Sequence, residues 1–139
     1  MYKQRDGVQI EERGWAGHFI MSRHCLFRRN TLISYNGKKW IVSTVGACIN
    51  QIDTPFIKAG EVQEIGPNRY YETMAFESKY DVYDDINVEK PIHFESEWAI
   101  CGDSWHEVLE KYNEYPDIEA NKMHNAVVDE LSERILKEG

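Results

Sequence analysis

The stretch Thr31-Leu32-Ile33-Ser34-Tyr35-Asn36-Gly37-Lys38-Lys39-Trp40-Ile41-Val42-Ser43-Thr44-Val45 decides the fold of this 139-residue chain. Residues 31–35 and 39–45 are β-branched and aromatic runs, and Asn36-Gly37 lies between them. An Asn-Gly pair accepts the positive φ angles that a type I′ turn needs, and that turn matches the twist of the strands it joins. The stretch therefore predicts a β-hairpin.

Upstream, residues 17–22 read as a short strand entered through Gly14-Trp15-Ala16-Gly17. Downstream, residues 46–60 contain Pro55 and Gly60 and read as a loop. A second hairpin is expected between Glu61–Ile65 and Arg69–Phe76, turned by Gly66-Pro67-Asn68. Residues 78–91 are polar and read as a surface segment, and His93–Ile100 as a further strand. After residue 102 the period changes. Asp103-Ser104 followed by Glu107 has the order of a capping box for a helix reaching about Tyr112. Pro116 ends that segment, and Ala120, Met123, Val127, Val128, Leu131 and Ile135 recur at helical spacing through a last helix over 117–137. The expected class is α+β: a mainly antiparallel sheet with at least two hairpins, closed by C-terminal helices. One domain is expected over 1–139, β-rich over 8–100 and helical over 103–138.

Charge is unevenly spread. The net formal charge is −8, yet residues 1–45 hold eight Lys or Arg against three acids, leaving eight bases and 21 acids for the rest. An acidic balance argues against duplex nucleic acid as partner, because duplex binders carry excess positive charge. No apolar run is long enough to cross a bilayer, and Met1-Tyr2-Lys3-Gln4-Arg5-Asp6 does not open like a secretory signal. Three widely spaced cysteines, Cys25, Cys48 and Cys101, read as reduced, half-buried thiols of a cytoplasmic protein. An amphipathic last helix beside a basic-to-acidic split suits a homo-oligomer, joined through that helix or a sheet edge.

The familiar catalytic signatures are missing. There is no phosphate loop, dinucleotide glycine fingerprint, His-Glu-x-x-His, Cys-x-x-Cys or Gly-x-Ser-x-Gly. Chemistry-bearing residues concentrate in two places. Arg28-Arg29-Asn30-Thr31 puts two guanidiniums, an amide and a hydroxyl at a strand entrance, donors suited to a phosphate or carboxylate. The same residues equally read as surface arginines beside a turn, since neighbours on a strand point to opposite faces. Arg69-Tyr70-Tyr71-Glu72-Thr73-Met74-Ala75-Phe76 puts Glu72 in a row with Tyr70, Met74 and Phe76. A buried carboxylate there must find a hydrogen-bonding or cationic partner, with Arg28 or Arg29 as candidates, or stay protonated. His18 and His24 with Cys25 and Cys48 match no usual zinc spacing, and Asp81, Asp84 and Asp85 lack the order of a calcium loop, so no metal and no cofactor is expected. His124, at the margin of the helical stripe, reads as a core or interface histidine. Ser43-Thr44-Val45-Gly46 reads as a strand end able to meet an anion, and Trp15 and Trp40 as stacking faces or core.

Arg13-Gly14-Trp15-Ala16-Gly17-His18-Phe19, Phe27–Thr31, Val42–Gly46, Arg69–Phe76 and Ala120–Val128 together resemble a family of small uncharacterised proteins encoded in phage and prophage genomes. The resemblance implies an accessory protein acting in the bacterial cytoplasm. Its expected role is to bind or sequester an anionic, nucleotide-like small molecule, or to inhibit a host defence protein. The expected ligand-binding set is Arg28, Arg29, Asn30, Thr31, Arg69, Tyr71, Glu72 and His18. The alternative is an enzyme on a phosphate-bearing substrate, with His18 or His24 and Glu72 as acid and base.

Overall fold

A computed structural model describes residues 2–5, 7–13, 25–50, 55, 59–65, 68–79, 86–92, 99–102 and 104–138. The strands are β1 (Tyr2–Arg5), β2 (Val8–Glu12), β3 (Cys25–Tyr35), β4 (Lys38–Ile49), β5 (Val62–Gln63), β6 (Arg69–Ser78), β7 (Ile86–Ile92) and β8 (Ala99–Cys101). Two helices follow, α1 (Trp105–Lys111) and α2 (Pro116–Glu138). All pairings among the described residues are antiparallel, and the main path runs β1-β2-β3-β4-β6-β7 as a curled half-barrel. The long helix α2 packs against that sheet.

The central hairpin forms where expected. Asn36 and Gly37 have φ of 51° and 78°, the left-handed pair of a type I′ turn, and Tyr35 lies opposite Lys38. β4 then runs on to Ile49, beyond the loop expected from residue 46. Its outer edge is shared by two strands in tandem. Residues Trp40–Gly46 pair with β6, and Cys48–Ile49 pair with β5. Ala47, with φ of 50°, stands between the two segments. The second hairpin is therefore corrected: the ladder joins β5 to β4, and among the described residues a backbone bond from Ile65 N to Arg69 O, 2.8 Å, ties that end to β6. Its turn at Gly66-Pro67 lies outside the described residues, as do the expected strand at 17–22 and the part of His93–Ile100 before Ala99.

β6 is shared in the same way, by β8 along Arg69–Glu72 and by β7 along Ala75–Ser78. Residues 86–92 thus form a strand where a wandering surface segment was expected. Pro91, exposed and opposite Phe76, fits there because β7 is an edge strand whose outer side needs no donors. The N-terminal hairpin β1–β2, joined through Gly7 at φ 88°, follows an Asp6-Gly7 pair in the sequence and extends the sheet on the other side.

The helices follow their sequence signals. Ser104 caps α1, its hydroxyl accepting from Glu107 N at 3.1 Å, and Pro116 opens α2 with Asp117 and Glu119 in the first turn. Every residue of the anticipated stripe is buried. Val127, Val128, Leu131 and Ile135 pack with Val8, Ile33, Val42 and Ala75, while Ala120 and Met123 join Tyr70, Tyr71, Ile100 and Val108. The far side of the sheet has its own apolar layer of Leu32, Ile41, Phe76 and Ile86. Cys25 and Cys48 are fully buried partners across β3 and β4, and Cys101 is exposed, so none is half-buried as expected.

Gly46 shows how closely β6 approaches. A Cβ there would run into the Tyr71 ring and stand 2.8 Å from the Tyr70 carbonyl oxygen. This glycine serves packing rather than an anion. Gly46→Ala should lower the unfolding free energy by about 2 kcal/mol or more, the cost of overpacking a rigid site. Urea denaturation checks it, and an unchanged midpoint would contradict the close approach.

Candidate functional site

The most concentrated polar chemistry among the described residues lies between the sheet and α2. Thr31 on β3, Thr44 on β4 and Thr73 on β6 all face the helix, and His124 descends from α2 among them, fully buried. His124 Nε2 lies 2.7 Å from Thr31 Oγ1, and Nδ1 lies 2.7 Å from Thr44 Oγ1. Thr44 Oγ1 lies 2.6 Å from Thr73 Oγ1, and Thr31 Oγ1 lies 3.1 Å from Glu12 Oε2.

Valence orders every proton in this chain. An ionised carboxylate only accepts, so the Thr31 hydroxyl donates to Glu12. Thr31 has no second hydrogen, so His124 Nε2–H donates to it. The other ring nitrogen of a neutral imidazole is an acceptor, which makes Thr44 the donor to Nδ1 and Thr73 the donor to Thr44. Burial, with the Arg29 guanidinium nearby as the smaller cause, lowers the His124 pKa from 6.5 to about 3. The ring is neutral, and a fixed tautomer satisfies every group in the row.

Glu12 is held in turn. Arg29 Nε and Nη2 donate to its two carboxylate oxygens at 2.8 and 3.0 Å, and Arg29 Nη1 donates to Asn125 Oδ1 at 2.7 Å and Asn121 Oδ1 at 3.3 Å. The guanidinium therefore bridges β2 to two successive turns of α2. Beside it a cavity of about 360 Å³ opens between Ile10, Glu12, Arg29, Thr31 and Asp129.

The expected ligand-binding residues do not gather at one place. Arg29 and Thr31 belong to the helix-facing network. Tyr71 faces the helices too, but its hydroxyl donates to Asp117 at 2.8 Å and its ring stacks on Trp105. Burial, reinforced by the Asp117 carboxylate, pushes that phenol well above its usual range. Alternation turns Arg28 and Asn30 to the opposite face of β3, where Asn30 Oδ1 accepts from Arg13 Nε and Nη2 at 3.0 and 2.9 Å. Glu72 is on that face as well, one strand beyond Val45 from Arg28, and it forms an ion pair with Arg69 at 3.1 Å. His18 and His24 lie outside the described residues. The sheet thus divides the set, and the arginines that are shared with Glu12 and Glu72 already hold carboxylates.

A second concavity of about 330 Å³ lies at the other end of α2, where the β3–β4 hairpin extends past the helix. Half-buried Tyr35 and Trp40 form its sheet wall, Leu131 and Ile135 its helix wall, and Lys38, Glu77, Arg134 and Glu138 its polar lining. Trp40 stood out in the sequence as either a stacking face or a core ring, and it is half-buried against the core. Its partners Tyr35, Lys38 and Arg134 did not stand out, because nothing local shows that α2 ends beside the hairpin.

Comparison with protein-family models, with curated proteins and with solved structures finds no match to this chain. No described helix is long and apolar enough to cross a membrane.

The neutral histidine has a pH signature. Between pH 6.5 and about 3 the unfolded chain takes up a proton on this ring that the folded chain refuses. Stability is therefore full above pH 6.5 and falls with acidification through that window, on the order of 5 kcal/mol in all at about 1.4 kcal/mol per unit. His124→Gln should be less stable at pH 7 yet lose less between pH 7 and 4.5 in urea denaturation. Equal losses in the two proteins would contradict the buried neutral ring.

Proposed function

We propose that this chain is a binding protein that holds a planar, anionic, nucleotide-like small molecule in the cavity between Trp40 and the end of α2. The observation that carries this is the pairing of one aromatic wall, facing an aliphatic one, with mixed charge. Tyr35 and Trp40 offer π faces to a flat ring, and the volume of about 330 Å³ falls at the lower end of small-ligand pockets. A nucleobase also presents N–H donors along its edge, which the Glu77 and Glu138 carboxylates accept. Its phosphate needs cations, which Lys38 and Arg134 supply. The last carbonyls of α2 carry partial negative charge, so the phosphate belongs on the hairpin side, toward Lys38.

Binding is favoured over catalysis by the state of His124. It is neutral, enclosed and hydrogen-bonded at both nitrogens, an arrangement that withholds it from a substrate. Glu72, the acid or base of the enzymatic alternative, is paired with Arg69. The proposed setting follows the resemblance to phage and prophage proteins, with the chain sequestering a host nucleotide in a bacterial cytoplasm. Inhibition of a host protein draws on a different observation, the acid-rich helices, which carry eight acids against four bases.

Saturation-transfer NMR and calorimetry with adenosine, guanosine and uridine monophosphates test the proposal. At least one should bind, with Trp40→Ala weakening it about tenfold, the value of one base–aromatic stack. Lys38→Ala should weaken the nucleotide more than its nucleoside. Absence of binding by all three, or binding that ignores both substitutions, would overturn it.

A further inference from the structure

The corner between the helices carries an exposed apolar patch. α1 ends at Lys111, and Asn113 and Glu114 both take left-handed conformations, with φ of 54° and 65°, before Pro116 opens α2. Beyond this tight turn Tyr115 is 66% exposed and Ile118 57% exposed, two of the three large apolar side chains so placed among the described residues. They border a shallow depression of about 370 Å³ together with Tyr112, Lys111, Glu119 and Lys122. An exposed Tyr–Ile pair set in a charged rim has the composition of an interface centre rather than of ordinary helix surface.

The rim decides the occupant. Lys111, Lys122 and Glu119 line the depression, Glu114 precedes Tyr115 in the turn and Asp117 follows Pro116, so the corner carries both signs, and the Lys122 ammonium is already 3.9 Å from Glu119. Elsewhere the two helices carry six acids against two bases. Two copies meeting by any other part of this layer would repel one another. At the corner, a two-fold axis through Tyr115 and Ile118 would bring the lysines of each copy near the glutamates of the other. A patch holding both signs around an apolar centre is self-complementary, the requirement of an isologous interface.

We infer that the α1–α2 corner is the surface through which two copies of this chain associate, with Tyr115 and Ile118 at the centre and the Lys111/Lys122 and Glu114/Glu119 pairs exchanged across the axis. The association is weak, since the apolar centre is small. It is independent of the nucleotide cavity, which lies at the opposite end of α2.

Sedimentation velocity from micromolar to millimolar protein tests the inference. The mass of the wild-type protein should rise from 16.3 kDa toward twice that value. Ile118→Asp, an exposed change that leaves the circular dichroism intact, should weaken association at least ~tenfold. The two charge variants, Lys111→Glu/Lys122→Glu and Glu114→Lys/Glu119→Lys, should each be monomeric alone and form a heterodimer when mixed. A wild-type protein that stays monomeric overturns the inference. So does a dimer untouched by Ile118→Asp, or a pair of charge variants that fails to associate on mixing.

Discussion

Everything on the helix-facing side of this molecule depends on one constraint: a histidine buried between sheet and helix must have both ring nitrogens answered. A polar ring in an apolar layer costs several kcal/mol unless its hydrogen bonds are made, so the strands must deliver hydroxyls to two fixed points. Thr31 and Thr44 do so only while β3, β4 and α2 keep their register. A shift of one residue in either strand would turn the hydroxyl to the far face and leave the ring unpaired. The apolar stripe supplies the attraction between α2 and the sheet, and His124 specifies where along the sheet the helix stops.

The same constraint organises what lies around it. Thr31 can receive the ring N–H because Glu12 takes its own proton, and Glu12 is oriented by the Arg29 guanidinium. Arg29 then reaches Asn121 and Asn125, so β2 at one side of the sheet is tied to the middle of the helix. Tyr71 makes a second tie at the start of α2 through Asp117, and stacks on Trp105 to seat α1. With its beginning and middle fixed, the end of α2 is left beside the β3–β4 hairpin, where the Trp40 cavity forms. The arginine that looks most like a ligand anchor in the sequence is consumed in holding the fold.

Much of the architecture was legible because its signals are local. Asn36-Gly37 declares its turn, Ser104 with Glu107 declares a helix start, and the spacing from Ala120 to Ile135 declares a buried face. The strand assignments failed where pairing is decided at a distance. Nothing in residues 46–49 reveals that β4 continues to meet a two-residue β5, whereas the alternation Ile86-Asn87-Val88-Glu89 is a strand signal that the polar residues before it and Pro91 after it obscure. The candidate site failed for a related reason. Arg28 to Thr31 are contiguous, but a strand sends neighbours to opposite faces, so adjacency in sequence became separation in space. Thr44, Thr73 and His124 are 29 and 80 residues apart in the chain and meet only through the register of the sheet and the docking of the helix. The one available hint was a histidine inside an otherwise apolar stripe.

The account turns on His124 as a neutral structural ring with one fixed tautomer, which assigns it to the fold and leaves binding to other surfaces. Long-range ¹H–¹⁵N correlation of the imidazole nitrogens reads both properties directly in the folded protein. The account predicts a protonated Nε2 and an unprotonated Nδ1, with shifts that stay constant as the pH is lowered from 7 to 5. A ring protonated on Nδ1, or one that titrates near 6.5 in the folded state, would contradict it.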